Sequence, residues 1–332
     1  MQRVIAGGYA EAGTEGLYLL EHGPGSLLVS DVVAPVRNVS AGIADVTGTG
    51  WFFVDEMAGE LVLLDAARDW RERARVPSGG EQPCHLALAA DRRHLAVAHY
   101  GSGTIALFAL DGDGAPCSPP ARYQHHGGGS NAERQDGPHA HWVGFDAAGR
   151  LYVTDLGTDQ LLVFGPDDHA LAAPRVAYQA PPGSGPRQIA FHPTLSVVYL
   201  VSELAATITV LDVADDGTLQ QRRIHATLPD GVERGDTLGG AILLRGDRLF
   251  VSNRGHDSVA TFAIDDAGDL HLLAVPHSGG ASPRFLLIDA GHLLVAHEQA
   301  GGVTLLPLGD DGVPGAVIAR ADVPGAAFLG VL

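Results

Sequence analysis

The chain has 332 residues, with 39 acidic side chains against 21 basic ones and a formal charge of −18. All of the basic residues are arginine, which excludes mechanisms that need a lysine, such as a Schiff base or a phosphate-loop amine. A surface this acidic repels nucleic-acid phosphates and anionic lipid, so neither nucleic acid nor membrane is expected as a partner, and an anionic substrate needs arginines gathered in one place.

The start, Met1-Gln2-Arg3-Val4-Ile5-Ala6 followed by Gly7-Gly8, lacks the apolar core of a signal peptide, and no stretch nears the ~18 apolar residues of a membrane span. A cytoplasmic location is expected. From there a short apolar run preceded by a Gly- or Asp-containing turn recurs seven times, beginning at Leu17, Leu61, Ile105, Leu161, Ile208, Val259 and Val303. The steps are 44, 44, 56, 47, 51 and 44 residues, close to the ~40–50 of one four-stranded propeller blade.

Two segments depart from the pattern. Residues 64–73 are rich in helix formers, but Arg71, Arg73 and Arg75 alternate with Trp70, Glu72, Ala74 and Val76, a period of two that predicts an outer edge strand. The insertion at residues 116–138, with His125-His126-Gly127-Gly128-Gly129, accounts for the long step of 56 and reads as a loop over a blade.

The clearest unit resolves into strands at residues 187–191, 197–202 and 207–211, with turns at His192-Pro193-Thr194 and Leu204-Ala205-Ala206. Asp-Gly turns such as Asp111-Gly112, Asp216-Gly217 and Asp311-Gly312 precede a more variable fourth strand. At the far end residues 326–331 are placed to pair with Val4-Ile5-Ala6, which would remove exposed sheet edges. The expectation is therefore an all-β, seven-bladed β-propeller closed by its N- and C-terminal strands, a single domain over residues 1–332.

In a propeller the first strand of each blade lines the channel and the second runs antiparallel beside it, so the start of one and the end of the other share a face. The first positions of strand one align as Ser40, His85, His141, Arg187, Gly240 and Arg284. Strand two ends on Glu56, Tyr100, Leu156, Glu203, Arg254 and Glu298, preceded by Asp55, His99, Asp155, Ser202, Asn253 and His297. Ionisable residues flanked by apolar strands reverse what core packing selects, and they point to a site at one channel mouth. His85, Glu56, Asp155, Asn253, Arg284 and His297 are read as substrate-binding.

Other signals are weaker. His139 and His141 stand two apart like a metal pair, but spacing fixes no third ligand, and no metal is assigned. Cys84 and Cys117 are too few for a disulfide framework and lack zinc or redox spacing. Gly127-Gly128-Gly129 opens no strand–turn–helix unit, and no Gly-x-Ser-x-Gly elbow is present. No cofactor is expected.

At these residues the chain resembles the lactonase-family seven-bladed β-propellers, the group holding propeller-type 6-phosphogluconolactonases and carboxymuconate cyclases. The matching pieces are Pro138-His139-Ala140-His141, residues 155–159, Gly185-Pro186-Arg187 with Phe191-His192-Pro193, Ser202-Glu203-Leu204 and residues 252–258. The resemblance implies a catalytic set of His141, Arg187, Glu203 and Arg254, with Gln188 replacing the histidine usual after Gly-Pro-Arg. It implies hydrolysis of a small, anionic lactone, with a carboxymuconate-type cycloisomerase as the alternative. A non-catalytic binding propeller is the reading from another class.

Overall fold

The structure is a computed structural model that describes residues 1–45, 47–172 and 174–332. Its strands run in chain order as β1 (Gln2–Gly8), β2 (Leu17–Gly23), β3 (Ser26–Ala34), β4 (Gly42–Ala44), β5 (Gly50–Asp55), β6 (Glu60–Asp65) and β7 (Arg71–Pro77). There follow β8 (Pro83–Leu88), β9 (His94–His99), β10 (Thr104–Ala109), β11 (Ala121–Gln124), β12 (Ala140–Phe145), β13 (Leu151–Asp155), β14 (Gln160–Phe164) and β15 (Arg175–Gln179). The second half holds β16 (Pro186–Phe191), β17 (Val197–Ser202), β18 (Thr207–Val213), β19 (Leu219–Ala226), β20 (Leu238–Arg245), β21 (Arg248–Arg254) and β22 (Ser258–Ile264). Last come β23 (Leu270–Ala274), β24 (Ala281–Asp289), β25 (His292–Ala300), β26 (Val303–Pro307), β27 (Ala319–Ala321) and β28 (Ala326–Val331).

These strands form seven four-stranded sheets, six of them sequential: β4–β7, β8–β11, β12–β15, β16–β19, β20–β23 and β24–β27. The seventh has the order β28-β1-β2-β3, with Ile5 opposite Gly330 and Ala6 opposite Leu329, so the C-terminal strand completes the blade begun by the N-terminus. This is the seven-bladed β-propeller predicted from the spacing, and the seven apolar runs are the third strands β2, β6, β10, β14, β18, β22 and β26. Before six of these strands one residue takes a left-handed conformation: Gly59, Gly103, Asp159, Ala206, Asp257 and Gly302, with φ between 50° and 70°. Only Gly and, less readily, Asn or Asp accept that region cheaply, and this is the Gly or Asp signal at five of the repeats; before β18 the position is taken by Ala206, in a turn with neither Gly nor Asp.

By internal contacts the chain divides into two compact units, one of Met1–Asn38, Gln188–Asp212 and Gln221–Leu332, the other of Val39–Arg187 and Val213–Gln220. In the second unit Leu86, Val97, Phe52 and Phe108 fill one apolar core, and Val143, Val153, Leu162 and Phe164 belong to another. The first unit holds cores around Tyr199 and Phe262, around Phe250 and Val295, and around Leu20 and Leu305. Tyr152 and Tyr199 carry their hydroxyls through these cores to the carbonyls of Gly217 and Gly268, both at 2.9 Å. Each of those glycines closes an Asp-Gly turn or its equivalent.

Two expectations are refined. In residues 64–73 a single 3₁₀ turn at Ala66–Arg68, capped by the Asp65 carboxylate accepting from Ala67 N, precedes the predicted edge strand β7. The insertion at residues 116–138 is more than a loop, because β11 lies within it as the fourth strand of its blade.

Candidate active site

The first strand of four blades is irregular near its start. The register shifts between Pro83 and His85, between Ala140 and Trp142, between Gly239 and Ile242, and twice between Ala281 and Phe285. A β-bulge adds an unpaired residue and re-aims its side chain. His141 and Arg284 fall at such shifts, whereas His85 stays in the ladder opposite Ala98. The first-strand column thus joins residues that the backbone presents differently.

One group gathers in the unit that contains β8–β15. His141 and Arg187 are both buried. The Cys84 thiol donates to the carbonyls of Ala140 and His141 at 3.5 and 3.4 Å, which pins the bulge from beneath. The Tyr100 ring meets His141 edge-on at 5.6 Å and stacks on His139 at 4.6 Å. His85 packs against Trp142 at 5.4 Å and accepts from Val143 N at 3.5 Å. Burial, with a further push from the Arg187 charge, lowers the His85 pKa to about 3, so its imidazole is neutral at physiological pH.

Arg187 owes its place to Asp159. That carboxylate, in the left-handed turn before β14, accepts from Gly183 N at 2.7 Å and Gly185 N at 2.8 Å, and so fixes the approach to β16. Thr154 Oγ1 then donates to the Arg187 carbonyl at 2.8 Å. Asp257 makes a similar contact at the start of β24, accepting from Ser282 N at 2.8 Å.

The other unit builds a chain of alternating charges. Arg254 Nη2 lies 2.6 Å from Glu203 Oε2, and its Nη1 lies 3.5 Å from Glu298 Oε1. Glu298 Oε2 accepts from Arg284 Nη1 at 2.8 Å, and its Oε1 accepts from Ser282 Oγ at 2.6 Å. Arg284 in turn lies over the Tyr9 ring, 5.2 Å from its centre. The Glu203 side chain is 2% exposed and that of Arg254 10%, so both charges have left water and depend on each other. Glu298 stood in the second-strand column, but only the structure shows it linking two arginines, and Tyr9 gave no signal in the sequence.

The residues just before the second-strand ends play another part. His297 presents Nδ1 to Gly302 O at 3.2 Å and Nε2 to Ser278 Oγ at 3.1 Å, and His99 does the same with Thr104 O and Ser78 Oγ. Asn253 donates to Thr227 O and Ser258 Oγ, and Asp155 accepts from His139 N and Thr158 N. All four are fully buried and satisfy backbone left open where a blade turns. Burial lowers His99 and His297 to about 4 and raises Asp155. Glu56 is half-buried in the turn after β5. His139 presents its ring nitrogens to Tyr100 O and to Asp136, and among the described residues no three His, Cys, Asp or Glu side chains form a group that could hold a metal ion.

Residues 3–329 match the family described as Lactonase, 7-bladed beta-propeller. The chain belongs to this family. It is 29% identical over 322 residues to a 6-phosphogluconolactonase of Bacillus subtilis strain 168, covering 90% of this chain and 89% of that protein. An uncharacterized protein of Staphylococcus aureus is 35% identical over 252 residues, covering 74% of this chain and 70% of that one. A Lactobacillus plantarum crystal structure superposes with a TM-score of 0.90 at 25% identity, covering 100% of this lactonase-family chain and 99% of that one. The periplasmic gluconolactonase of Pseudomonas aeruginosa shares the fold, with a TM-score of 0.91 at 24% identity and coverage of 100% and 99%.

Proposed function

We propose that this lactonase-family protein hydrolyses a small anionic lactone, 6-phosphogluconolactone being the first candidate because the Bacillus subtilis relative is named for it. The observation that carries the reading is the series Glu203, Arg254, Glu298, Arg284, in which carboxylates and guanidinium groups alternate, the first two buried and the last two half-buried. Lactone opening needs a base to activate water, a cationic or hydrogen-bonding group where the carbonyl oxygen gains charge, and a proton for the departing alkoxide. In this reading Glu203 or His141 takes a proton from water while the water oxygen bonds to the acyl carbon. The ring C–O bond then breaks, its electron pair stays on the alkoxide oxygen, and the same group returns the proton there. Arg187 and Arg254 hold the substrate anion and the developing oxyanion, a task their forked donors suit.

The proposal places the chemistry at a channel mouth, because strand-one starts and strand-two ends lie on the same edge of each blade. It also places the protein in the cytoplasm, where the free, exposed thiol of Cys117 is in keeping with a reducing compartment. Recovery of the protein from a cell-envelope fraction would contradict that location.

The product acid ionises at neutral pH and releases one proton per turnover, so a pH indicator follows the reaction. Glu203→Gln and Arg187→Ala are each expected to lower kcat/KM by about a hundredfold or more. Melting temperatures of Glu203→Gln within a few degrees of wild type keep that loss separate from unfolding. Full activity in both variants would refute the residue assignment.

A further inference from the structure

The connection between β11 and β12 is longer than a blade requires, yet it is fastened at many points. Gln135, 1% exposed, donates Nε2 to the Leu156 carbonyl at 2.9 Å and accepts from Asn131 N at 3.0 Å. Its backbone N donates to Asn131 O at 2.7 Å, and its carbonyl accepts from Gly129 N at 3.0 Å. The glycine run follows from this packing: a Cβ on Gly129 would overlap the Gln135 side chain, and one on Gly128 would lie 2.9 Å from the Gln135 carbonyl. Across the loop a Cβ on Gly157 would overlap the Gly137 carbonyl. Asn131 Oδ1 caps the central turn, accepting from Glu133 N at 3.1 Å and Arg134 N at 3.2 Å.

A loop held this firmly has already met its ordering cost and carries its side chains to fixed positions. Arg134 is the one it delivers to the His141 group. Its Nη2 donates to Tyr100 Oη at 3.1 Å, and the Tyr100 ring meets the His141 ring edge-on. Guanidinium, phenol and imidazole thus follow one another, with a neutral hydroxyl as the link. In a chain without lysine and with a charge of −18, the permanently charged groups available to select an anion are arginines placed locally.

We propose that Arg134 is a specificity-determining residue that adds a further guanidinium, beside His141, to those of Arg187 and Arg254 for the charged group of an anionic lactone. The inference rests on the lactonase reading above. It assigns to the insertion the task of distinguishing a phosphorylated or carboxylated lactone from a neutral one, while ring opening is left to the residues already described.

The test compares glucono-δ-lactone with its 6-phosphate in wild type, Arg134→Gln, Arg134→Lys and Tyr100→Phe, by acid release corrected for spontaneous hydrolysis. Arg134→Gln should lose about a hundredfold in kcat/KM on the phosphorylated lactone, mostly through KM, and stay within about twofold on the neutral one. Arg134→Lys should recover part of that loss, since it restores the charge without the fork. Tyr100→Phe keeps the ring and removes the anchor, and should show a smaller loss confined to the phosphorylated substrate. Equal losses on both lactones, or no loss, would overturn the role of Arg134 while leaving the lactonase reading intact. A wild type that opens neither lactone would overturn both.

Discussion

Replacing Arg254 with alanine tests whether the alternating charges form one interdependent unit. The substitution takes from Glu203, whose side chain is 2% exposed, a guanidinium 2.6 Å away, while Glu298 keeps Arg284 at 2.8 Å and Ser282 at 2.6 Å. A single close buried pair is broken, so the cost belongs at the lower end of the ~3–5 kcal/mol typical of such a loss. At about 2 °C per kcal/mol for a chain of this size, Arg254→Ala should melt about 6 °C below wild type. Adding Glu203→Gln removes the buried charge that has lost this guanidinium and should recover about 1–2 kcal/mol, so the double variant melts above the single one. Differential scanning calorimetry at pH 7, repeated in 0.5 M salt, is the assay, and salt should alter the difference little because the pair is shielded from solvent. A single variant that melts within about 1 °C of wild type, or a double variant that melts lower still, would refute this account of the pair.

Acid should destabilise the protein through its buried imidazoles. His85 at about 3 and His99 and His297 at about 4 lie below the unfolded value near 6.5, so the unfolded chain binds protons first. Their stabilisation is complete above pH 6.5 and falls by up to about 1.4 kcal/mol per pH unit for each histidine as pH drops towards 4. Asp155, raised by burial, works in the opposite sense with one proton against three, so the melting temperature should plateau above pH 7 and decline below pH 6. A flat profile from pH 7 to 4.5 would contradict this. Asp159→Ala releases Gly183 and Gly185 ahead of Arg187 and should cost about 1–3 kcal/mol of stability, with a loss of kcat/KM that Asp159→Asn partly restores. Gly157→Ala, whose Cβ would overlap the Gly137 carbonyl, should displace the β11–β12 connection and lower the melting temperature by several degrees.

The blades were legible in the sequence because two local rules coincide at most of the repeats. A third strand such as Leu161–Phe164 is buried and apolar, and the left-handed turn before it demands Gly or tolerates Asp, as at Asp159. Glu203 and Arg254 were legible because charge at the end of an apolar strand needs an explanation. The bulges at His141 and Arg284 were not, since a register shift belongs to a strand pair and leaves no mark on either strand alone. His99, His297 and Asn253 carried the same polar signal as the charged columns, but their polarity serves blade backbone, a distinction that appears only when the partners are seen. Arg134 and Tyr100 lie 34 positions apart, and the Gln135 anchorage that brings them together follows no repeat.

The most direct test of the central claim is the initial rate of proton release by the purified wild-type protein from 6-phosphogluconolactone, with glucono-δ-lactone, a γ-lactone and a muconolactone in parallel. The account predicts turnover above the spontaneous rate with the phosphorylated lactone preferred, and its loss in Arg187→Ala. No acceleration with any lactone in the panel would contradict it.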